Sequence, residues 1–167
     1  MEGQGFNYFE NSRYTDTRIQ RKTLIVDHVI GTLSTGIFNI DLEEPISINK
    51  ESEIYLDSFT TFGALQNHRG NADNTQMGFL LDIKEFNVQT ISTKQAQNGK
   101  IIIPNEESGT AKLVTVHKGK KLNYICSINP TTLSSITGSI TKLSGSGTMF
   151  QDGGSFIAEF IIVSKKD

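Results

Sequence analysis

Near the C-terminal end lies the most apolar stretch of the sequence, Phe156–Val163, broken only by Glu159. It is too short to cross a membrane as a helix, and its β-branched content favours an extended chain. Successive side chains of a strand point to opposite faces, so this segment is apolar on both. Such a strand belongs in the middle of a sheet. A second sheet can cover one face, and a neighbouring subunit is the expected cover for the other, because an open apolar face invites aggregation. Ile157 and Ile161 are therefore candidate interface residues. Composition agrees with a β fold: isoleucine occurs 20 times and threonine 17 times, but alanine only 5 times.

Short strands separated by turn residues run through the chain from Lys22. Thr23–Ile30 carries Leu24, Val26 and Ile30 on one face together with His28. Gly36–Leu42 alternates Phe38, Ile40 and Leu42 with Asn39 and Asp41. Pro45 and Asn49-Lys50-Glu51 mark a turn region, and Glu53–Phe62 is a longer strand before an Asn/Gly-rich loop, 63–76. In 77–91, Phe79, Leu81 and Ile83 share one parity while Phe86 and Val88 share the other. This predicts a bend near Lys84-Glu85, or a first half buried on both faces. Ile101–Ile103 stops at Pro104. Lys112–His117 and Leu122–Ile128 suggest a hairpin about Lys118-Gly119, with Tyr124, Cys126 and Ile128 on one face. Ser134–Leu143 follows, then the glycine-rich run 144–155, read as a flexible connection into the last strand. About eight to ten antiparallel strands without a helix or a repeat predict an all-β sandwich or barrel.

Residues 1–21 differ. They are polar, and Phe6, Tyr8, Phe9 and Tyr14 follow neither a strand nor a helix period. The segment reads as a flexible N-terminal arm ahead of one domain, 22–167. Its four aromatics are further interface candidates, since aromatic side chains are enriched at interface cores.

Searches for chemistry fail. The histidines His28, His68 and His117 are scattered, and Asp27 and His28, as strand neighbours, point to opposite faces. Cys126 alternates with apolar residues and reads as a core side chain. No metal-ligand spacing appears; Asp152-Gly153-Gly154 reads as a turn, and the glycine-rich run lacks the Lys-Ser/Thr ending of a phosphate-binding loop. No enzyme, cofactor or metal is expected. His117-Lys118-Gly119-Lys120-Lys121 reads as a solvated tip, and a net charge of −2 gives no reason to expect a specific nucleic-acid partner. No signal peptide, internal disulfide or transmembrane helix is expected, consistent with synthesis in a reducing cytoplasm.

The run from Ile128 to Lys166 resembles the end of single jelly-roll capsid proteins of large double-stranded DNA viruses and virophage-like elements. The resembling features are a strand with Leu133, Ile136, Gly138 and Ile140, a glycine-rich turn, and Gly154-Ser155-Phe156-Ile157-Ala158-Glu159-Phe160-Ile161-Ile162. Lys22–Asp27 also looks like the first strand of such a domain. The expected acidic, Asp-rich turn is missing, which leaves the subfamily open. The resemblance implies a jelly-roll β-sandwich and a structural role in an icosahedral virion, as a penton base subunit or minor capsid protein. It would be made in the host cytoplasm and would contact other capsid proteins and its own copies, as a pentamer or trimer. The alternatives are a soluble jelly-roll binding module, lectin-like or trimeric ligand-like, and a cupin-like enzyme. Absence of Trp weighs against the former, and absence of a His-x-His pair against the latter.

Overall fold

In the computed structural model, which describes residues 19–29, 36–64, 78–104, 114–116, 123–147 and 150–165, the last strand, β9 (Phe150–Lys165), is central. It pairs antiparallel with β1 (Ile19–Val29) on one side and with β3 (Ser52–Ala64) on the other. The free edge of β3 is taken in two stretches by β6 (Val114–Val116) and β7 (Asn123–Ile128). The second sheet runs in the order β2 (Ile37–Ile48), β8 (Thr131–Lys142), β4 (Gly78–Ile83), β5 (Ile101–Pro104). With β6 and β7 counted as one interrupted strand, the pairings nest: first with last, second with second-to-last, third with third-to-last, and the middle two together. This is the jelly roll, a long hairpin wrapped into a two-sheet sandwich. The expected all-β jelly-roll sandwich of antiparallel strands is thus the fold observed.

The inner faces meet in one core. Leu24 and Val26 of β1, Ile54 and Phe59 of β3, and Phe156 and Phe160 of β9 face Phe38, Phe79, Ile136 and Ile140 of the other sheet. Phe59 stacks on Phe156 at 5.7 Å, and Phe86 meets Phe160 edge-on at 5.2 Å. Each such side chain contributes about 1.5–3 kcal/mol by leaving water. Gly138 is required by close approach: a Cβ there would lie 1.9 Å from the Asp82 carbonyl oxygen and 2.8 Å from the Phe38 ring.

The stretch from β4 (Gly78–Ile83) through the bend that follows it shows both features expected of it. The chain bends at Lys84-Glu85, where the Phe86 amide donates to the Ile83 carbonyl at 3.2 Å, and Phe86 turns into the core. Leu80 is buried as well, although its parity is opposite to Phe79 and Leu81. A short 3-10 turn, Gln95–Gln97, follows and is tied to the end of β8 by Gln97 Nε2 and the Leu143 carbonyl, 3.4 Å apart.

Four expectations need correction. Pro45 lies within β2, because the β2–β8 register shifts between Asp41 and Ile46 and an edge-strand bulge needs no amide from proline. β6 and β7 are not a hairpin: both run antiparallel to β3, hence in the same direction. Tyr124 does not share the face of Cys126 and Ile128, because the register shifts between Ile54 and Tyr55 and leaves Ile125 as the extra residue. Finally, β9 begins at Phe150, so Asp152-Gly153-Gly154 belong to a strand that pairs with the end of β3 rather than to a turn. β1 itself begins at Ile19, and Ile19, Gln20 and Arg21 stand opposite Lys165, Ser164 and Val163.

Candidate interaction surface

The outer face of the β1–β9–β3–β7 sheet follows from strand parity. With Leu24 and Val26 of β1 turned inward, Arg21, Thr23, Ile25, Asp27 and Val29 turn outward. On β9, inward Phe156, Ala158, Phe160 and Ile162 leave Ile157, Glu159, Ile161 and Val163 outward. On β3 the parity switches. Leu56 pairs with Phe160 but Ser58 with Glu159, so Asp57 is extra, and the buried set changes from Ile54 and Leu56 to Phe59 and Thr61. That bulge turns Ser58, Thr60 and Phe62 outward beyond Glu53 and Tyr55.

The result is an apolar face open to solvent. Of the nine large hydrophobic side chains exposed among the described residues, six lie on it: Ile19, Ile25, Val29, Phe62, Tyr124 and Ile157. Ile25 is 58% exposed and Ile157 43%. Ile161 and Val163 are half-buried, and with Arg21 and Tyr55 they line a shallow depression. The Tyr55 hydroxyl donates to Glu53 Oε2 at 2.6 Å, and its ring meets Tyr124 edge-on at 5.8 Å. The hydrogen bond to Glu53, then burial, raises the Tyr55 phenol pKa. Ser58 Oγ lies 3.3 Å from Glu159 Oε2, in the middle of the face.

The opposite outer face differs. There Asn39, Asp41, Asp82, Thr137 and Ser139 face outward, and the Glu85 carboxylate binds Thr137. Ile37 is an exposed apolar exception there, and Ile102 stands beside the buried Leu80.

Ile157 and Ile161, singled out as interface candidates, thus stand on one face. Phe6, Tyr8, Phe9 and Tyr14 lie outside the described residues. The contributions of Phe62 and Tyr124 were missed because bulges set their orientation. Ile25 and Val29 could have been found, since they simply alternate with Leu24, Val26 and His28.

Among the described residues, groups with reactive potential are not brought together. His28 sits inward at the rim, its ring 5.8 Å from Phe38 and 6.3 Å from Phe156. Burial lowers its pKa, partly opposed by Asp27, whose side chain points to the other face. Cys126 is buried, and burial pushes its thiol up to about 11 against a backbone hydrogen bond from Asn87. His68 and His117, with the basic run 117–121, lie outside the described residues. Among the described residues no group of three or more His, Cys, Asp or Glu side chains could hold a metal ion, and no helix is long and apolar enough to cross a membrane.

No protein-family model matches the chain, and no curated protein sequence is significantly similar to it. Function must therefore be argued from the fold and the exposed face.

Proposed function

We propose that this jelly roll is a structural component of an icosahedral viral capsid, a penton base subunit or a minor capsid protein, that works through contacts with its own copies and with other capsid proteins. The observation that carries the reading is the apolar outer face of the sheet centred on β9, where Ile25, Ile157 and Ile161 surround Glu159. A solvent-facing patch of this kind marks a protein contact. The jelly-roll strand order and the resemblance of its last two strands to capsid jelly rolls support the same role. Such a role asks for flat faces and many copies, so a weak contact per subunit suffices. Its place would be the virion shell.

The test is sedimentation of the purified full chain, of a chain lacking residues 1–18, and of Ile157→Asp. Concentration-dependent oligomers of the full chain that Ile157→Asp weakens are the expected result. A chain that stays monomeric at every concentration, together with a virion shell lacking such a domain, overturns the proposal.

A second reading, a soluble lectin-like or trimeric ligand-like binding module, draws on the Tyr55–Tyr124 pair beside the depression, since exposed aromatics can stack on a ligand. It predicts glycan or receptor binding by the isolated monomer, and an array without hits removes it.

A further inference from the structure

Glu159 interrupts the apolar face at its centre. Along β9 it is flanked by Ile157 and Ile161; across the sheet its neighbours are Ile25 and Ser58. Among the described residues its one hydrogen-bond partner is Ser58 Oγ, at 3.3 Å. A carboxylate accepts several hydrogen bonds, and covering it with apolar surface alone is costly. Arg21 projects from the same face, opposite Val163 and four pairs along the ladder from Ile25 and Glu159, with no ion pair among the described residues. A mate for this face must bring apolar area, a cation for Glu159 and an anion for Arg21. A second copy of the same face brings all three.

We propose that this face mates with itself about a two-fold axis that lies in the interface and crosses the strands at the Thr23–Ile161–Tyr55 rung, setting Arg21 of each copy beside Glu159 of the other. The proposal rests on the reading above that the face is an assembly surface. Charge selects this axis. A two-fold running along β9 would stack Glu159 on its own copy, and like charges facing each other across a desolvated contact are strongly disfavoured. The cross-strand axis instead carries the rung of Arg21, Val163 and Glu53 over the rung of Ile25, Glu159 and Ser58, so that Arg21 and Glu53 stand one strand to either side of the other copy's Glu159, and Glu53 is already bound by its own Tyr55 hydroxyl. The Arg21 stem then covers the other copy's Ile25, and its guanidinium needs to reach one strand over, about 4.8 Å, to meet the carboxylate. Ile161 meets Ile161 at the axis. Four strands at about 4.8 Å spacing and about 3.3 Å per residue offer a face of roughly 20 by 30 Å, so two copies cover roughly 1,200 Å² in total, enough for a specific contact. A two-fold contact is separate from the head-to-tail contacts that close a ring, which this arrangement leaves to other surfaces.

The experiment is a charge swap read by sedimentation equilibrium on the full chain. Arg21→Glu and Glu159→Arg should each weaken dimerisation at least about tenfold, and the double variant should restore it. Far-UV circular dichroism of all three, and thermal midpoints taken at concentrations where the parent is monomeric, should stay those of the parent, because both positions face outward. In Thr23→Cys, two thiols facing each other near the axis should be joined by a short bis-maleimide. If the single variants weaken association but the double does not restore it, or if Thr23→Cys does not cross-link, the two-fold arrangement is wrong while the assembly face stands. If Ile157→Asp and Ile161→Asp leave association untouched, the assembly face itself is wrong, and the two-fold with it. If removing residues 1–18 creates a dimer that the full chain lacks, the chain's own N-terminal segment occupies the face and the proposal fails.

Discussion

Glu85 holds Thr137 with both carboxylate oxygens: the Thr137 amide lies 3.0 Å from each, and the Thr137 hydroxyl donates to Oε1 at 2.7 Å. The Lys84 amide donates back to the Thr137 carbonyl at 2.9 Å. Together these fasten the bend after β4 to β8 and aim Phe86 into the core. Hydrogen bonds to a charged, part-buried acceptor are the stronger kind. Glu85→Ala is expected to cost about 1–3 kcal/mol, with Glu85→Gln between it and the parent, because an amide keeps one acceptor. Urea unfolding measures this; an unchanged midpoint in Glu85→Ala would mean the clamp adds nothing to stability.

Gly138→Ala tests the close approach of β8 to β4. The new methyl meets the Asp82 carbonyl, which is backbone and cannot swing away. The two strands must part, at a cost of about 1–3 kcal/mol or more. Ser139→Ala, next along the strand and half-buried, is the control and should change the urea midpoint little. Equal midpoints for the two variants would contradict the packing described.

Cys126 should be inert in the folded protein. Its thiol is buried and titrates near 11, so little thiolate exists at neutral pH. Labelling by an aromatic disulfide reagent at pH 8 should proceed only as fast as the chain opens, and at once in denaturant. The linkage has a definite sign. The folded pKa lies above the unfolded value of 9.0, so the contribution is complete below pH 9 and is lost as pH rises through about 11. Cys126→Ala should remove that part of the alkaline decline.

His28 acts on the acid side. Its folded pKa is lowered below 6.5 by burial beside Phe38 and Phe156. Its contribution is present above 6.5 and is lost as pH falls through the lowered folded value, because the unfolded chain takes up the proton more readily. Thermal midpoints of the parent should therefore fall more between pH 7.5 and 5.5 than those of His28→Phe. Parallel curves for the two proteins count against the assignment.

Much of the fold was legible because strand alternation is local. Phe38, Ile40 and Leu42 against Asn39 and Asp41 announce a half-buried strand without reference to any partner. The conflict of parity between Phe79–Ile83 and Phe86–Val88 announced the bend at Lys84-Glu85. The outward orientation of Ile157 and Ile161 followed from the same rule, and so did the central position of β9. What escaped was set by the partner strand. The bulges at Asp57 and Ile125 arise from register against β9 and β3, and they turn Phe62 and Tyr124 outward. The glycine-rich start of β9 has little strand propensity, yet Phe150 pairs with Ala64 because the end of β3 is there to receive it.

By itself, then, the sequence determined that this chain makes two-faced strands and that its last strand is apolar on both sides, since side-chain parity needs only neighbours in the chain. Only the tertiary structure decided which strands share a sheet and which of their residues form a common surface. Ladder partners such as Leu24 and Phe160, or Tyr55 and Ile161, are far apart in sequence, and their register follows from the wrapping of the whole hairpin rather than from any local signal. That wrapping places Ile25, Ile157 and Ile161 around Glu159, with Arg21 on the same face four residues along the ladder.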